Sequence, residues 1–163
     1  MVLELLLIET NVSDAEIVIQ ALTNVNPAIH IEVVHDGREA LDYLFGTGKY
    51  AQRDLQIQPD LILLNLNLTS TPGFSGMDVL RVVKSYARTR TIPVVILSEP
   101  GSSDSMLESY QFNANSYVEK SADRERFRQS LDVIGRYWLT VNKAATKDSA
   151  QTPGANASAG SKN

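Results

Sequence analysis

Polar residues directly follow four of the apolar runs in this sequence, and together they could form a reactive or ligand-binding site. They are Glu9 with Thr10, Asn65, Ser98, and Glu119 with Lys120. Each has a structural explanation when taken alone. A strand must leave the core through a polar residue, a lysine is usually at the surface, and asparagine is common in turns. If a carboxylate, an amide, a hydroxyl and an ammonium met at one place, they would instead indicate a reactive or ligand-binding site.

The apolar runs that precede these residues predict a parallel sheet. Leu3–Ile8 and Leu61–Leu64 are continuous rather than alternating, as expected for strands that are covered on both faces. Ile29–Val34, Ile92–Leu97 and Ser116–Val118 complete five predicted strands, and helical patterns alternate with them. Such alternation predicts a doubly wound α/β fold. In these folds ligands bind beyond the carboxyl ends of the strands, which is where the polar residues are expected to lie.

The first helix is predicted over about Asp14 to Thr23. Ser13 and Glu16 have capping-box spacing, and Val12 with Ile17 fits a hydrophobic staple. Asp36 and Glu39 repeat the capping spacing for a second helix that ends at Phe45.

The last helix is predicted from an apolar stripe, which consists of Phe127, Leu131, Ile134, Trp138 and Val141. From about Ala144 the composition changes to small and polar residues that cannot repay their ordering entropy. We therefore predict a domain over residues 3–142, with an extended last helix, and a disordered tail over 143–163.

Composition excludes several classes of function. The 163 residues carry a formal net charge of −4, which argues against a dedicated nucleic-acid binder. The absence of cysteine excludes disulfides, thiol catalysis and thiolate metal sites. Neither a signal peptide nor an apolar run of membrane-spanning length is present, so we expect a cytoplasmic protein without membrane contact.

The strand-end residues and their flanking runs resemble the receiver domain of bacterial two-component response regulators. The segments that carry the resemblance are Leu6–Asn11, Pro59–Leu68, Ile92–Ser98 and Asn113–Lys120, within a similarity that covers about residues 3–142. The loop Leu44–Tyr50 and the ending Tyr137–Leu139 are similar to those of the small single-domain regulators that accompany phytochrome-type histidine kinases. The resemblance implies a flavodoxin-like (βα)5 sheet with strand order 2-1-3-4-5.

The resemblance also implies a role for each strand-end residue. Asn65 stands where the family has its phosphoacceptor aspartate, and Glu9 and Thr10 stand where it has two acids. Ser98 and Tyr117 match the switch pair, and Lys120 matches the lysine that contacts phosphate. The implied metal ligands are Glu9, Asn65 and Asn67. Because only Glu9 among these residues is a carboxylate, we expect Mg²⁺ binding to be weak or absent, and we expect no other cofactor.

Two further departures from the family pattern lie nearby. Lys120 is followed by Ser121 instead of the usual proline, so the peptide bond between them is predicted to be trans. The loop Thr69–Gly76 is longer than the usual turn.

The leading hypothesis is a pseudo-receiver. Such a domain is not an enzyme, has no catalytic residue, and binds a histidine kinase or another signalling protein without being phosphorylated. The alternative is a conventional phosphorelay regulator in which Asn65 is an engineered substitution, or in which a hydroxyl such as that of Thr10 accepts phosphate. A flavin or nucleotide binder is a third class, but the Glu9–Ser13 loop lacks glycine.

Three aromatic residues and two histidines complete the candidates. His30 and His35 have no motif around them and are interpreted as surface residues. Trp138 is assigned to the core, whereas Tyr110 and Tyr137 are candidates for exposure. Because the last helix extends past the edge of the domain, a homodimer through the last strand and helix is a further hypothesis.

Overall fold

A parallel sheet of five strands forms the centre of the protein. The structure is a computed structural model and describes residues 2–68, 74–101 and 103–145. Most of the predicted loop Thr69–Gly76, and the tail beyond residue 145, lie outside the described residues. The strands are β1 (Glu4–Ile8), β2 (His30–Val34), β3 (Leu61–Asn65), β4 (Val94–Ser98) and β5 (Ser116–Glu119). Their order, β2-β1-β3-β4-β5, confirms the predicted flavodoxin-like topology.

Five helices connect the strands and cover both faces of the sheet. They are α1 (Val12–Val25), α2 (Gly37–Phe45), α3 (Gly76–Ser85), α4 (Ser103–Gln111) and α5 (Arg124–Arg136). A short 3₁₀ turn, Gly48–Tyr50, follows α2, and a π-helical turn, Tyr137–Val141, extends α5. None of the helices that the structure describes combines the length and the apolar character needed to cross a membrane.

The core consists of one apolar layer on each face of the sheet. Along β1, Leu6 and Ile8 point into one layer while Leu5 and Leu7 point into the other, as the alternation of side chains along a strand requires. All four of these side chains are buried, which explains why the sequence of this strand is apolar throughout. The strands are therefore anchored in the core on both faces, and this positions the residues that follow them.

The start of α1 differs from the predicted start. The helix begins at Val12 because Asn11 takes an extended conformation and its side-chain oxygen accepts a hydrogen bond from the backbone N–H of Asp14 at 3.0 Å. The predicted capping box of Ser13 with Glu16 is wrong, and so is the staple, since Val12 is exposed. For α2 the prediction is confirmed: the Asp36 side chain caps the helix and accepts from the Glu39 N–H.

The end of α5 also departs from the predicted stripe. Phe127, Leu131 and Ile134 are buried against α1 and the sheet, and Trp138 packs against the same layer. Val141, however, is exposed. The π-helical turn has more residues per turn than an α-helix, so the α-helical spacing no longer predicts which side chains face the core there.

Candidate functional site

Four polar residues meet at the carboxyl end of the sheet, and we call them the Glu9 cluster: Glu9, Asp14, Asn65 and Lys120. Glu9 follows β1, Asn65 ends β3 and Lys120 follows β5, so the parallel strands deliver three of the four side chains to one place. Asp14 comes from the first turn of α1. The side chains of Glu9 and Lys120 are only 0% and 4% exposed. The charges of this cluster are therefore compensated largely by each other rather than by water.

Both carboxylate oxygens of Glu9 accept hydrogen bonds from the protein. Its Oε1 accepts from the Asn65 side-chain amide at 2.7 Å and from the Asn11 backbone N–H at 2.9 Å. Its Oε2 accepts from the Lys120 ammonium at 2.8 Å. Three donors thus meet the hydrogen-bonding needs of this buried side chain.

The Lys120 ammonium bridges two carboxylates. Nζ lies 2.8 Å from Glu9 Oε2 and 2.8 Å from Asp14 Oδ2. Glu99, which is largely exposed, is more distant at 3.9 Å. Burial by itself would lower the pKa of Lys120, but the hydrogen bonds that its ammonium donates to Asp14 and Glu9 outweigh this effect and hold the pKa above its ordinary value. The lysine is thus an ammonium in the folded protein at neutral pH.

The orientation of the Asn65 amide is fixed from both sides. Its Oδ1 accepts from the Asn67 backbone N–H at 3.0 Å, and its Nδ2 donates to Glu9. Exchanging the oxygen and nitrogen would place Oδ1 against a carboxylate oxygen and Nδ2 against an N–H, which would lose both bonds. Asn65 therefore presents an N–H donor, and not a lone pair, to the centre of the cluster.

The segment after Asn65 turns sharply at the base of α3. The Gly76 N–H donates to the Leu66 carbonyl at 3.3 Å. A Cβ atom at position 76 would lie 2.6 Å from both the Asn65 carbonyl oxygen and Leu66 Cα, a distance that atoms do not tolerate. Glycine is thus required for α3 to begin directly against the end of β3.

The remaining residues predicted for the site lie beside the Glu9 cluster and not in it. Thr10 makes no side-chain hydrogen bond within the described part of the chain, and Asn67 is exposed. Ser98 is buried, and its hydroxyl donates to the Glu99 carbonyl over a long 3.4 Å. The Tyr117 ring packs on the core layer that includes Leu6, and its buried hydroxyl has no partner among the described residues.

Asp14 is the member of the cluster that the sequence analysis missed. The signal that could have found it is an acid in the first turn of the helix that follows β1, since this turn begins at the same edge of the sheet as the strand-end residues. The peptide bond between Lys120 and Ser121 is trans, as predicted. Both histidines are exposed, which agrees with their interpretation as surface residues.

Comparisons with known proteins agree with this geometry. The family model described as "Response regulator receiver domain" matches residues 5–132. This chain belongs to the response regulator receiver family. Receiver domains generally act in signalling and are not enzymes, and they interact with histidine kinases.

Among curated proteins, the receiver domain is 30% identical over 135 residues to response regulator Rcp1 of Synechocystis sp., covering 83% of this chain and 88% of Rcp1. It is 32% identical over 140 residues to the probable methanogenesis regulatory protein FilR2 of Methanothrix harundinacea, covering 86% of each chain.

Solved structures of phytochrome-associated regulators also match the receiver domain. The phosphorylated cyanobacterial phytochrome response regulator RcpA superimposes with a TM-score of 0.82 at 34% identity, covering 90% of this chain and all of RcpA. The Mn²⁺-bound form of Rcp1 superimposes with a TM-score of 0.79 at 28% identity, covering 86% and 97% of the two chains. The predicted likeness to phytochrome-associated regulators is thereby confirmed.

Receiver domains bind Mg²⁺ or Mn²⁺ weakly. Mg²⁺ requires oxygen ligands in a near-octahedral arrangement. Here both oxygens of Glu9 are engaged, Asn65 directs an N–H towards Glu9, and an ammonium lies between the two carboxylates. The residues that the structure describes contain no group of three or more acidic or histidine side chains able to hold a metal. The cluster does not fit the ion.

Proposed function

We propose that this receiver domain acts in two-component signalling as a pseudo-receiver, through contact with a histidine kinase or another signalling protein and without phosphorylation. The observation that carries the proposal is the Asn65 amide at the end of β3, whose Nδ2 donates a hydrogen bond to Glu9 at 2.7 Å. In this proposal Asn65 stands at the phosphoacceptor position, and Glu9 and Thr10 stand at the positions of the acidic pair.

The chemistry of the amide supports this proposal. A phosphoacceptor must attack phosphorus with a carboxylate oxygen, which carries negative charge and forms an acyl phosphate. The amide oxygen of Asn65 is neutral, its lone pair is engaged by the Asn67 N–H, and its nitrogen electrons are delocalised into the carbonyl. A nucleophile is therefore lacking at the end of β3.

The state of the other implied residues supports it further. Lys120, which the resemblance assigns to phosphate contact, is already occupied by Glu9 and Asp14. The Ser98 hydroxyl, the first member of the implied switch pair, donates to a neighbouring backbone carbonyl. The second member, Tyr117, already has its ring against the core. The pocket thus holds one arrangement without an added phosphate.

Labelling with acetyl phosphate in the presence of Mg²⁺ tests the proposal. We expect no acid-stable, hydroxylamine-labile phosphate on the wild-type protein, measured by intact-mass spectrometry. The Asn65→Asp variant is the matched control for the reagent and the fold. Stoichiometric phosphate at residue 65 of the wild-type chain would refute the pseudo-receiver.

The alternative, a conventional regulator with an engineered Asn65, makes a different prediction for the same variants. If only position 65 had been altered, Asn65→Asp would be labelled rapidly. Under our proposal Asn65→Asp is labelled slowly, because the second acid is absent at Thr10. The double variant Thr10→Asp/Asn65→Asp then shows faster labelling than Asn65→Asp. Phosphate mapped to Thr10 in the wild-type protein would favour the hydroxyl-acceptor version of the alternative.

We also propose that the domain forms a homodimer through its last strand and helix. Val133, Tyr137 and Val141 are 69%, 50% and 63% exposed, so successive turns of α5 and its extension each present an apolar side chain to solvent. Apolar side chains that line one exposed stripe are typical of an association surface. The β5 strand is one edge of the sheet and precedes α5 in the chain. The opposite edge, β2, is contacted by Tyr50, whose hydroxyl donates to Glu32 at 2.8 Å.

The oligomeric state can be measured by sedimentation equilibrium. We expect a wild-type dimer and a monomeric Val133→Asp/Tyr137→Asp variant. Val12→Asp, which changes an equally exposed valine on α1, is the control and should remain dimeric. A wild-type monomer at a protein concentration of about 100 μM, which corresponds to an affinity weaker than most specific complexes, would count against the dimer.

A further inference from the structure

We propose that the Lys120 ammonium is the resident cation of the Glu9 cluster and takes the structural place of the divalent ion that binds other receiver domains. The inference rests on the proposed function, in that it concerns a pocket that is not phosphorylated. It extends that function by assigning Asp14 as a positioning residue of the site. Its consequence is that the geometry of the pocket does not depend on a metal.

The first step is the position of the ammonium. Nζ lies within hydrogen-bond distance of one oxygen from each of two carboxylates that come from different elements, the end of β1 and the first turn of α1. Joining oxygens from separate segments is what a bound cation does in a protein. Here the joining atom is covalently part of the chain and is almost entirely buried.

The second step is the balance of charge. Glu9 and Asp14 contribute two negative charges and Lys120 one positive charge, while the amide of Asn65 and the N–H of Asn11 donate to Glu9. A carboxylate at position 65 would have left a third negative charge to neutralise. With an amide there, one ammonium and two N–H donors satisfy Glu9, and a divalent ion would have to displace them to bind.

A second contact joins the first turn of α1 to the part of the chain that follows β5. Arg124 Nη2 donates to Ser13 Oγ at 2.9 Å, one residue before Asp14. The first turn of α1 is therefore connected at two neighbouring points, to Lys120 after β5 and to Arg124 at the start of α5. This connection fixes the two segments that border the Glu9 cluster without any metal ligand.

The experiment measures Mn²⁺ binding by water proton relaxation in the wild-type protein and three variants. Lys120→Met removes the ammonium and leaves the carboxylates of Glu9 and Asp14 without a cation. We expect it to bind Mn²⁺ about tenfold more tightly than the wild-type protein, the scale of effect seen when the surroundings of a metal ligand change. Adding Asp14→Asn to Lys120→Met should remove the gain.

The matched control is Lys84→Met. Lys84 is a half-buried lysine, and among the described residues its ammonium donates to three neutral oxygens, namely the Arg90 and Ile92 carbonyls and Asn115 Oδ1. Its removal exposes no carboxylate, so Mn²⁺ binding should not change. If Lys120→Met binds Mn²⁺ no more tightly than Lys84→Met does, the assignment of Lys120 as the resident cation is overturned.

A measurement on the wild-type protein covers the case in which Lys120→Met fails to fold. In a protein labelled with ¹⁵N, the ammonium of a buried and hydrogen-bonded lysine exchanges slowly enough to be observed by NMR. We expect a Lys120 ammonium signal that Mn²⁺ at millimolar concentration neither shifts nor broadens. Selective broadening of that signal would show that the ion enters the cluster and would overturn the proposal.

The two proposals fail separately. Phosphate on wild-type residue 65 refutes the pseudo-receiver whatever the result of the Mn²⁺ titrations. Failure of Lys120→Met to gain Mn²⁺ affinity, with the wild-type protein still unlabelled by acetyl phosphate, refutes only the role of Lys120 as the resident cation.

Discussion

Two lysines withdrawn from solvent lie at opposite ends of the sheet, and their surroundings differ in kind. Lys120, at the carboxyl end, contacts two carboxylates, and its pKa is held above the ordinary value. Lys84, at the amino end, contacts two backbone carbonyls and the Asn115 side-chain oxygen, and burial lowers its pKa to about 8. Neutral oxygens thus satisfy the hydrogen bonds of an ammonium without compensating its charge.

This difference indicates which end of the sheet is held together by interactions between charged groups. At the amino end, Asn115 Oδ1 also accepts from the Val94 N–H at 2.9 Å, so Lys84 and Asn115 together connect α3 with the starts of β4 and β5. Lys84 and Asn115 thus have a structural role, because their hydrogen bonds hold these elements together. At the carboxyl end the same residue type is part of an ion cluster, and the loss of Lys120 would leave the buried Glu9 carboxylate without its charged partner.

The largest effect is expected for Lys120→Met. Removing the ammonium leaves the buried Glu9 carboxylate without its charged partner, and breaking a buried pair in this way costs about 3–5 kcal/mol. The free energy of unfolding, measured by urea titration in a metal-free buffer, should fall by that amount. The double variant Glu9→Gln/Lys120→Met removes both charges and should recover part of the loss. Equal losses in the two variants would contradict the ion-cluster interpretation.

A smaller loss is expected for Asn65→Asp. The substitution replaces a donor to Glu9 with a second carboxylate at 2.7 Å. The loss should be about 1.5–3 kcal/mol, the contribution of a hydrogen bond to a charged group. Mg²⁺ at millimolar concentration should restore stability in this variant and not in the wild-type protein, which thermal melting with and without EDTA can measure. An equal response of both proteins to Mg²⁺ would show that the cluster binds the ion without a carboxylate at position 65.

Lys84→Met should cost less than either of these changes. It removes hydrogen bonds to neutral oxygens and leaves no buried charge behind, so a loss of about 1 kcal/mol in the free energy of unfolding is expected. Urea titration under the conditions used for Lys120→Met makes the two lysines directly comparable. If Lys84→Met were as damaging as Lys120→Met, the contrast between the two ends would disappear.

The smallest change, with the opposite sign, is expected for Tyr117→Phe. The Tyr117 hydroxyl is buried and has no hydrogen-bond partner within the described part of the chain. Removing an unpartnered polar group should leave stability unchanged or raise it by about 1 kcal/mol. A loss of more than that, seen in thermal and urea unfolding, would reveal a partner for the hydroxyl. Tyr43→Phe, at another buried tyrosine, is a suitable comparison.

The fold and three of the four members of the Glu9 cluster were predictable from the sequence. Apolar runs identify the strands, and parallel strands bring the residues after Ile8, Leu64 and Glu119 to one edge. Asp14 was missed because its direction depends on where α1 begins, and the predicted start was two residues too late. Each residue turns an α-helix by about 100°, so a start at Val12 instead of Asp14 rotates the expected face by about 200°.

At the amino end of the sheet the contacts of Lys84 were harder to predict, because most of its partners are backbone groups. Lys84 falls on the apolar side of α3 in the sequence, but two of the three oxygens that receive its ammonium are main-chain carbonyls. Side-chain patterns contain no information about where such carbonyls will point. The π-helical turn after α5 was missed for a related reason, since its wider winding leaves no mark in the spacing of apolar residues.

Gly76 lies close to the end of β3, so the geometry of the site there does not depend on the length of the loop between β3 and α3. The chain leaves the strand at Leu66, and the Gly76 N–H donates to the carbonyl of that same residue. Insertions between Leu68 and Phe74, which both pack against the core, would mainly add loop entropy, and doubling the length of a closed loop costs only about 0.6 kcal/mol. This segment could therefore carry a graft, such as an epitope or a fluorescent label, while the Glu9 cluster stays in place.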